Sequence, residues 1–152
     1  MKKYLLIFIL IPYSSFSQEL NLNFFEKLNG LTLSSVNEIL VDGYGFLLVS
    51  ENKYLHPKST GERNALMITI KEFEFQNKTR KGRDMEIICS NNLDINIFKS
   101  ELLEQGYEFQ GNSKDPSVDV KYYEKGAEKD VAIFTLKNGD IKKYQINFIT
   151  RY

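Results

Sequence analysis

Asp84 and Glu86 stand two apart in "RDMEIICS", a stretch whose alternating polar and apolar residues read as a β-strand. Residues i and i+2 of a strand share a face, so the two carboxylates point the same way. Two such groups can divide general acid and general base work when their surroundings push their pKa values apart, which would equip a small hydrolase. Glu101 and Glu104, three apart in a helical stretch, could also be neighbours. Both arrangements are common on solvated faces, and the remaining catalytic inventory is thin. His56, in "YLHPKS", is the single histidine and reads as a surface or loop residue; one histidine without clustered acids or cysteines is a poor metal site. No serine sits in a G-x-S-x-G elbow. In "GYGF" (43–46) the helical stretch precedes the strand, the reverse of a phosphate-binding loop, so Gly43 reads as a helix stop. Dense oxygen ligands at calcium-loop spacing are lacking. No catalytic, cofactor-binding or metal-binding residue is therefore nominated, no cofactor is expected, and a non-enzymatic protein is the preferred reading.

The elements that must carry these residues follow a repeated grammar. "ELNLNFFEKLNG" holds a short helix with Leu22, Phe24, Phe25 and Leu28, ended by Asn29 and Gly30. A second helix is expected from about Ser34 to Asp42, capped by Ser34 or Ser35, with Val36, Ile39 and Leu40 inward and Gly43 as its left-handed stop. Strand material follows in "YGFLLVS", "KYLH", "NALMITIKEF" and "DMEIICS". The second half begins with a helix capped by Asp94 or Asn96, carrying Phe98, Leu102 and Leu103 and stopping at Gly106. Strands then follow in "YEF", "VDVKYYEK", "DVAIFTL" and "IKKYQINFI". "GYGF" and "GYEF" (106–109) mark the repeat, pairing Gly43 with Gly106, Tyr44 with Tyr107 and Phe46 with Phe109. Asn138 and Gly139 suit the tight turn of a hairpin that places Tyr144, Ile146 and Phe148 on one face and Lys143, Gln145 and Asn147 on the other. The expected fold is α+β: two tandem helix-plus-antiparallel-sheet units, tightly fused, with helices on one face. Residues 18–152 form a single compact region with possible subdomains 18–91 and 92–152.

The chain of 152 residues opens with Lys2 and Lys3, an apolar run from Tyr4 to Ile11 and the small residues around Ser15 to Ser17. That is the layout of a secretory signal peptide over residues 1–17, with Gln18 the first mature residue. The run is too short for an ordinary spanning helix, and no cysteine stands near the cleavage point to take a lipid anchor. The expected location is periplasmic or extracellular, soluble after cleavage, with no transmembrane segment in the mature chain. The 20 basic and 20 acidic residues balance, and losing the two leader lysines leaves the mature chain at about minus two. Such a charge offers no long-range attraction for nucleic acid. Cys89 is the only cysteine, so no internal disulfide is available and the fold rests on its core. Sharing a strand face with Met85 and Ile87, Cys89 is expected as a small buried hydrophobe. Asn77-Lys78-Thr79 is a glycosylation sequon in a projecting turn, incidental in a bacterial setting.

Nine tyrosines and eleven phenylalanines supply both a core and a surface. Tyr44, Tyr107, Tyr122, Tyr123 and Tyr144 stand among charged residues on the expected sheet, the composition of interface material. Tyr122 and Tyr123 must point to opposite faces of a strand. The turn "QNKTRKGR" offers a second candidate contact site in Lys78, Arg80, Lys81 and Arg83, for an acidic partner. Over residues 20 to 152 this layout resembles exported inhibitor proteins built of tandem helix-and-sheet units, the beta-lactamase-inhibitory type among them. The likeness lies in topology and comes with no family motif. It implies a concave sheet engaging a partner protein, and hence an exported, non-enzymatic binding, inhibitory or immunity-like protein. The alternatives are a small-ligand-binding or envelope-assembly module, and a small hydrolase using clustered carboxylates.

Overall fold

A computed structural model describes residues 21–59, 65–74, 81–90, 94–115, 117–138 and 141–152. The leader, the sequon, Lys78, Arg80 and Gly139 of the hairpin turn lie outside these described residues.

Helix α1 (Leu22–Asn29) starts where the Asn21 side chain accepts the Phe24 N–H, and it buries Leu22, Phe25 and Leu28 on one stripe. Helix α2 (Leu33–Asn37) is capped by Thr32, whose hydroxyl accepts the Ser35 N–H, in place of the serines expected from sequence. It continues into a π-helical turn (Glu38–Gly43) that buries Leu40. Helix α3 (Ile95–Glu104) is capped by Asp94 and buries Ile95, Phe98 and Leu102. The strands are β1 (Leu47–Ser50), β2 (Lys53–Leu55), β3 (Leu66–Glu74), β4 (Lys81–Cys89), β5 (Glu108–Asn112), β6 (Val120–Lys125), β7 (Lys129–Asn138) and β8 (Ile141–Arg151). All pair antiparallel in one sheet of order β1-β2-β3-β4-β8-β7-β6-β5. Each half is a four-stranded meander, and the halves join where β4 bonds to β8 from Gly82↔Arg151 to Cys89↔Tyr144.

One sheet face meets the helices. Leu66, Ile68 and Ile70 of β3, Met85, Ile87 and Cys89 of β4, Val131 and Ile133 of β7, and Ile146 and Phe148 of β8 form a single core with the inward residues of all three helices. Phe25 lies edge-on to Phe98, and Phe98 edge-on to Phe148, linking α1, α3 and β8. The alternate strand residues, including Asp84, Glu86, Gln145 and Asn147, remain partly exposed on the opposite face, as the alternation predicts for a sheet covered on one side.

The internal repeat is real but its register differs from the "GYGF"/"GYEF" alignment. In the second half the Tyr107 N–H reaches the Leu102 carbonyl, the Gly106 N–H reaches Leu103, and Gly106 has a φ of +83°, which together make a Schellman stop. In the first half the left-handed residue is Gly45 (φ +68°), not Gly43, and the Phe46 N–H reaches back to Leu40. The π turn holds one extra residue, which moves the stop along the chain. Gly45 therefore matches Gly106, and buried Phe46 matches buried Tyr107. The exposed Phe109 matches Leu48 of β1, each standing just before a bulge, between Leu48 and Ser50 and between Phe109 and Gly111. Following the strand pairs inward matches Tyr54 with Tyr123, Ile68 with Val131 and Ile87 with Phe148. Glu86 then matches Asn147, its own partner across β4 and β8, so the local two-fold axis passes between these two residues.

Candidate functional site: the open face of the sheet

Residues directly opposite in antiparallel strands project to the same side, so the pairing register defines rows of side chains across the open face. One row runs Leu47, Leu55, Met67, Ile88, Gln145, Phe134, Val120. Leu47 at the sheet edge is 56% exposed, while Leu55, Met67, Ile88 and Phe134 are half-buried. Six of the seven positions are apolar, on the face that the helices leave open. The middle row runs Lys53, Thr69, Glu86, Asn147, Ala132, Tyr122. The third runs Glu108, Glu124, Asp130, Ile149, Asp84, Lys71.

At the two-fold axis the polar groups bond in symmetric fashion. The Gln145 side-chain amide donates to Glu86 at 3.0 Å, and its two-fold counterpart is the Asn147 amide donating to Asp84 at 3.1 Å. Gln145 also donates to the Asn147 carbonyl oxygen at 3.0 Å. Asp84 and Glu86 do share a face, as the strand spacing requires, and each is held by a neutral amide from β8. The second carboxylate pair is split between tasks: Glu101 accepts the Leu22 N–H at the start of α1 at 2.9 Å, while Glu104 is exposed.

The five candidate tyrosines are not brought together. Tyr122 lies on the open face, 42% exposed, at the end of the middle row. Its neighbour Tyr123 is buried on the helix face, so the two point to opposite sides as expected. Tyr107 is buried and donates its hydroxyl to Glu26 at 2.7 Å. Burial, reinforced by Glu26, pushes its pKa well above the ordinary tyrosine value. Lys129 and Lys125 flank the same Glu26 at 3.4 and 4.0 Å, the latter also lying over the Tyr107 ring. Tyr44 packs edge-on against Phe24, and Tyr144 rests partly buried against the core.

The basic turn is likewise divided. Lys81 is exposed and paired with Glu74 at 3.4 Å. Arg83 is a buried residue of β4 on the helix side, where its guanidinium donates to the Asn29 and Leu31 carbonyls, at and just past the end of α1, and to Glu72. Strand alternation explains the difference: Arg83 has the parity of Met85, Ile87 and Cys89. Above it opens a cleft of about 520 Å³ lined by Gly30, Leu33, Arg83, Thr150 and Tyr152 among others. Among the described residues, Asn29 Oδ1 and Arg83 Nε are buried without hydrogen-bond partners.

His56 is in a loop, but buried rather than on the surface, edge-on to Phe46 at 5.1 Å. Its Nδ1 accepts the Lys58 N–H at 3.2 Å, and burial followed by the Lys58 charge lowers its pKa. Cys89 is a buried free thiol, pushed up to about 12 by burial, which is the small-hydrophobe environment expected. The described residues hold no group of three His, Cys, Asp or Glu arranged for a metal, and no helix among them is long and apolar enough to cross a membrane.

What sequence reasoning missed is the apolar row. Its six apolar residues lie in six different strands, and only the pairing register aligns them. A signal existed locally, since "LMITIKEF" and "MEIICS" are apolar at consecutive positions instead of alternating strictly. No family model, curated protein or solved structure matches this chain.

Proposed function

We propose that the protein is an exported, non-enzymatic binding module, inhibitory or immunity-like, whose open sheet face docks a partner protein. The observation that carries this reading is the apolar row crossing a face that the helices leave open, with Tyr122 beside it. An eight-stranded sheet backed by three helices is a stiff platform, and half-exposed aliphatic and aromatic groups on such a platform contribute contact area at small entropic cost. Leader-like residues at the start of the chain support export.

The test is affinity capture from envelope and medium with the purified protein as bait, beside Tyr122→Ala and Phe134→Ser baits whose folding is checked by circular dichroism. A stoichiometric partner lost with these variants supports the reading. A partner captured equally by all baits moves the contact to another surface, and a folded bait that captures nothing removes the case for a stable protein complex.

The small-ligand reading has an observation of its own, the cleft beside Arg83 with unpartnered polar atoms beneath it. A small-molecule screen by thermal shift, repeated on Arg83→Lys, separates that reading from the first.

A further inference from the structure

The two halves of the molecule serve as each other's control. Their strand order and pairing register correspond through the local two-fold, so position by position they show which side chains the fold itself requires. On the helix face the requirement is common: Tyr54 and Tyr123, Ile68 and Val131, and Ile87 and Phe148 are matched and buried. On the open face the match fails in one direction. Leu47 occupies the place of Glu108, Leu55 that of Glu124, and Met67 that of Asp130. Across the axis, Phe134 takes the place of Lys71 and Gln145 that of Asp84. Only Ile88 and Ile149 remain alike. At these three positions the outer strands thus carry carboxylates in the second copy, the ordinary solution for a wet sheet, and apolar groups in the first. Folding does not explain the apolar row, because the row related to it by the two-fold, from Glu108 to Lys71, forms in the same sheet with charged residues at five of its six positions.

We infer that this divergence defines a bipartite docking surface for one kind of partner: a protein segment with an apolar ridge and lysine or arginine groups about 13 Å to one side. That distance is four residues along β4, from Ile88 to Asp84, at the usual strand rise of about 3.3 Å. The apolar ridge covers Leu55, Met67 and Phe134. The basic groups meet the acidic row, in which Asp130 is already paired with Arg151 and Asp84 with Asn147, while Glu108 and Glu124 stand exposed. Charge complementarity makes the partner basic, since an acidic segment would meet these carboxylates at close quarters. A second copy of the chain fits less well, because two open faces packed in the two-fold sense bring acidic row against acidic row.

This inference rests on the proposed protein-binding role and specifies its chemistry, and its test separates the two. The double variant Leu55→Glu, Met67→Asp writes the second half's residues into the first, where the repeat shows the backbone accepts them. The probes are three series of 15-residue amphipathic peptides on an array: apolar with lysine and arginine, apolar with glutamate, and uniformly polar. Binding by the purified protein is expected in the first series alone. It should drop at least tenfold in the double variant with the thermal midpoint within a few degrees of wild type, and weaken several-fold between 50 and 300 mM salt, set against about 8 Å of screening length at physiological salt. Equal binding to the glutamate series, or binding indifferent to the double variant, overturns the bipartite surface while leaving protein binding at another site in place. No binding in any series, together with failure of the affinity capture, overturns both. If the wild type sediments as a dimer and the double variant as a monomer, the face belongs to self-association and the basic partner is excluded.

Discussion

Arg83 ties β4 to the end of α1, a link that no strand pairing makes. Its guanidinium donates to the carbonyl of Asn29, the last residue of α1, to that of Leu31 just beyond, and to Glu72 on β3. Replacement by methionine would keep the bulk of the stem and strip those carbonyls of their donor in a buried place. Arg83→Met is expected to cost roughly 3 kcal/mol by urea unfolding. Glu72→Gln should cost well under 1 kcal/mol, because that carboxylate is half exposed and its attraction is screened by water. Equal losses in the two variants would show that the ion pair, not the carbonyl clamp, matters. His56 supplies a pH-dependent term whose sign follows from its environment. Its folded pKa lies below the unfolded value of about 6.5, so between the two values the unfolded chain binds more protons. The contribution is complete above about pH 6.5 and is lost as pH falls through the folded value. Unfolding midpoints measured from pH 7 to 5 should decline in the native chain, and the His56→Gln variant should decline less steeply. Parallel slopes would mean that the imidazole titrates alike in the folded and unfolded chain, with no lowering on folding.

At the scale of elements, the ends of α2 and α3 show how one extra residue is accommodated. The π turn absorbs it before Gly45, after which β1 and β5 run in matching register with matching bulges. Gly45 and Gly106 therefore carry the left-handed stops, whereas Gly43 lies in the π turn without a positive φ. Gly45→Ala and Gly106→Ala should each cost roughly 1 kcal/mol, although a methyl group meets no atom within 4 Å at either place. Gly43→Ala should be neutral or stabilising by a few tenths of a kcal/mol, since its nearest neighbour would be 4.0 Å away and glycine disfavours the helix. Thermal midpoints of the three variants distinguish this assignment from one in which Gly43 is the stop. The eight strands and three helices of the described residues were legible in sequence because apolar spacing and terminal residues mark them directly, as with Asp94 before α3 or Asn29 and Gly30 at the end of α1. The register of the repeat was not legible. A π turn differs from an α turn by one residue and has no sequence signature of its own, so "GYGF" aligned with "GYEF" on identity while the backbone aligned Gly45 with Gly106. The buried place of Arg83 followed from strand parity but was masked by the charges beside it, and the apolar row required pairings between strands remote in sequence.

Two features bind the halves into one cooperative whole. The β4–β8 ladder carries the local axis through the middle of the sheet, and α1, which has no counterpart among the second-half elements, reaches across to the second half. Its Leu22 N–H bonds Glu101, its Glu26 receives the Tyr107 hydroxyl, and its Asn29 amide donates to Thr150. Neither meander keeps its central edge covered without the other, and an uncovered edge strand with an apolar face is a site of mispairing. Local opening of one half should therefore coincide with opening of the other, a property not read from repeat architecture alone, since stacked repeats can unfold one by one. Ile87→Ala makes the test. The side chain is fully buried on β4, and its removal should cost about 2–5 kcal/mol. Under native conditions, amide exchange of β6 and β7 should accelerate by the same factor as that of β2 and β3, although the substitution lies in the first half. Faster exchange confined to β1–β4 would instead show two units that merely touch. In that case the open face could not act as one platform, because the apolar row passes from β4 through β8 to β7 and β6 and depends on both halves being folded at once.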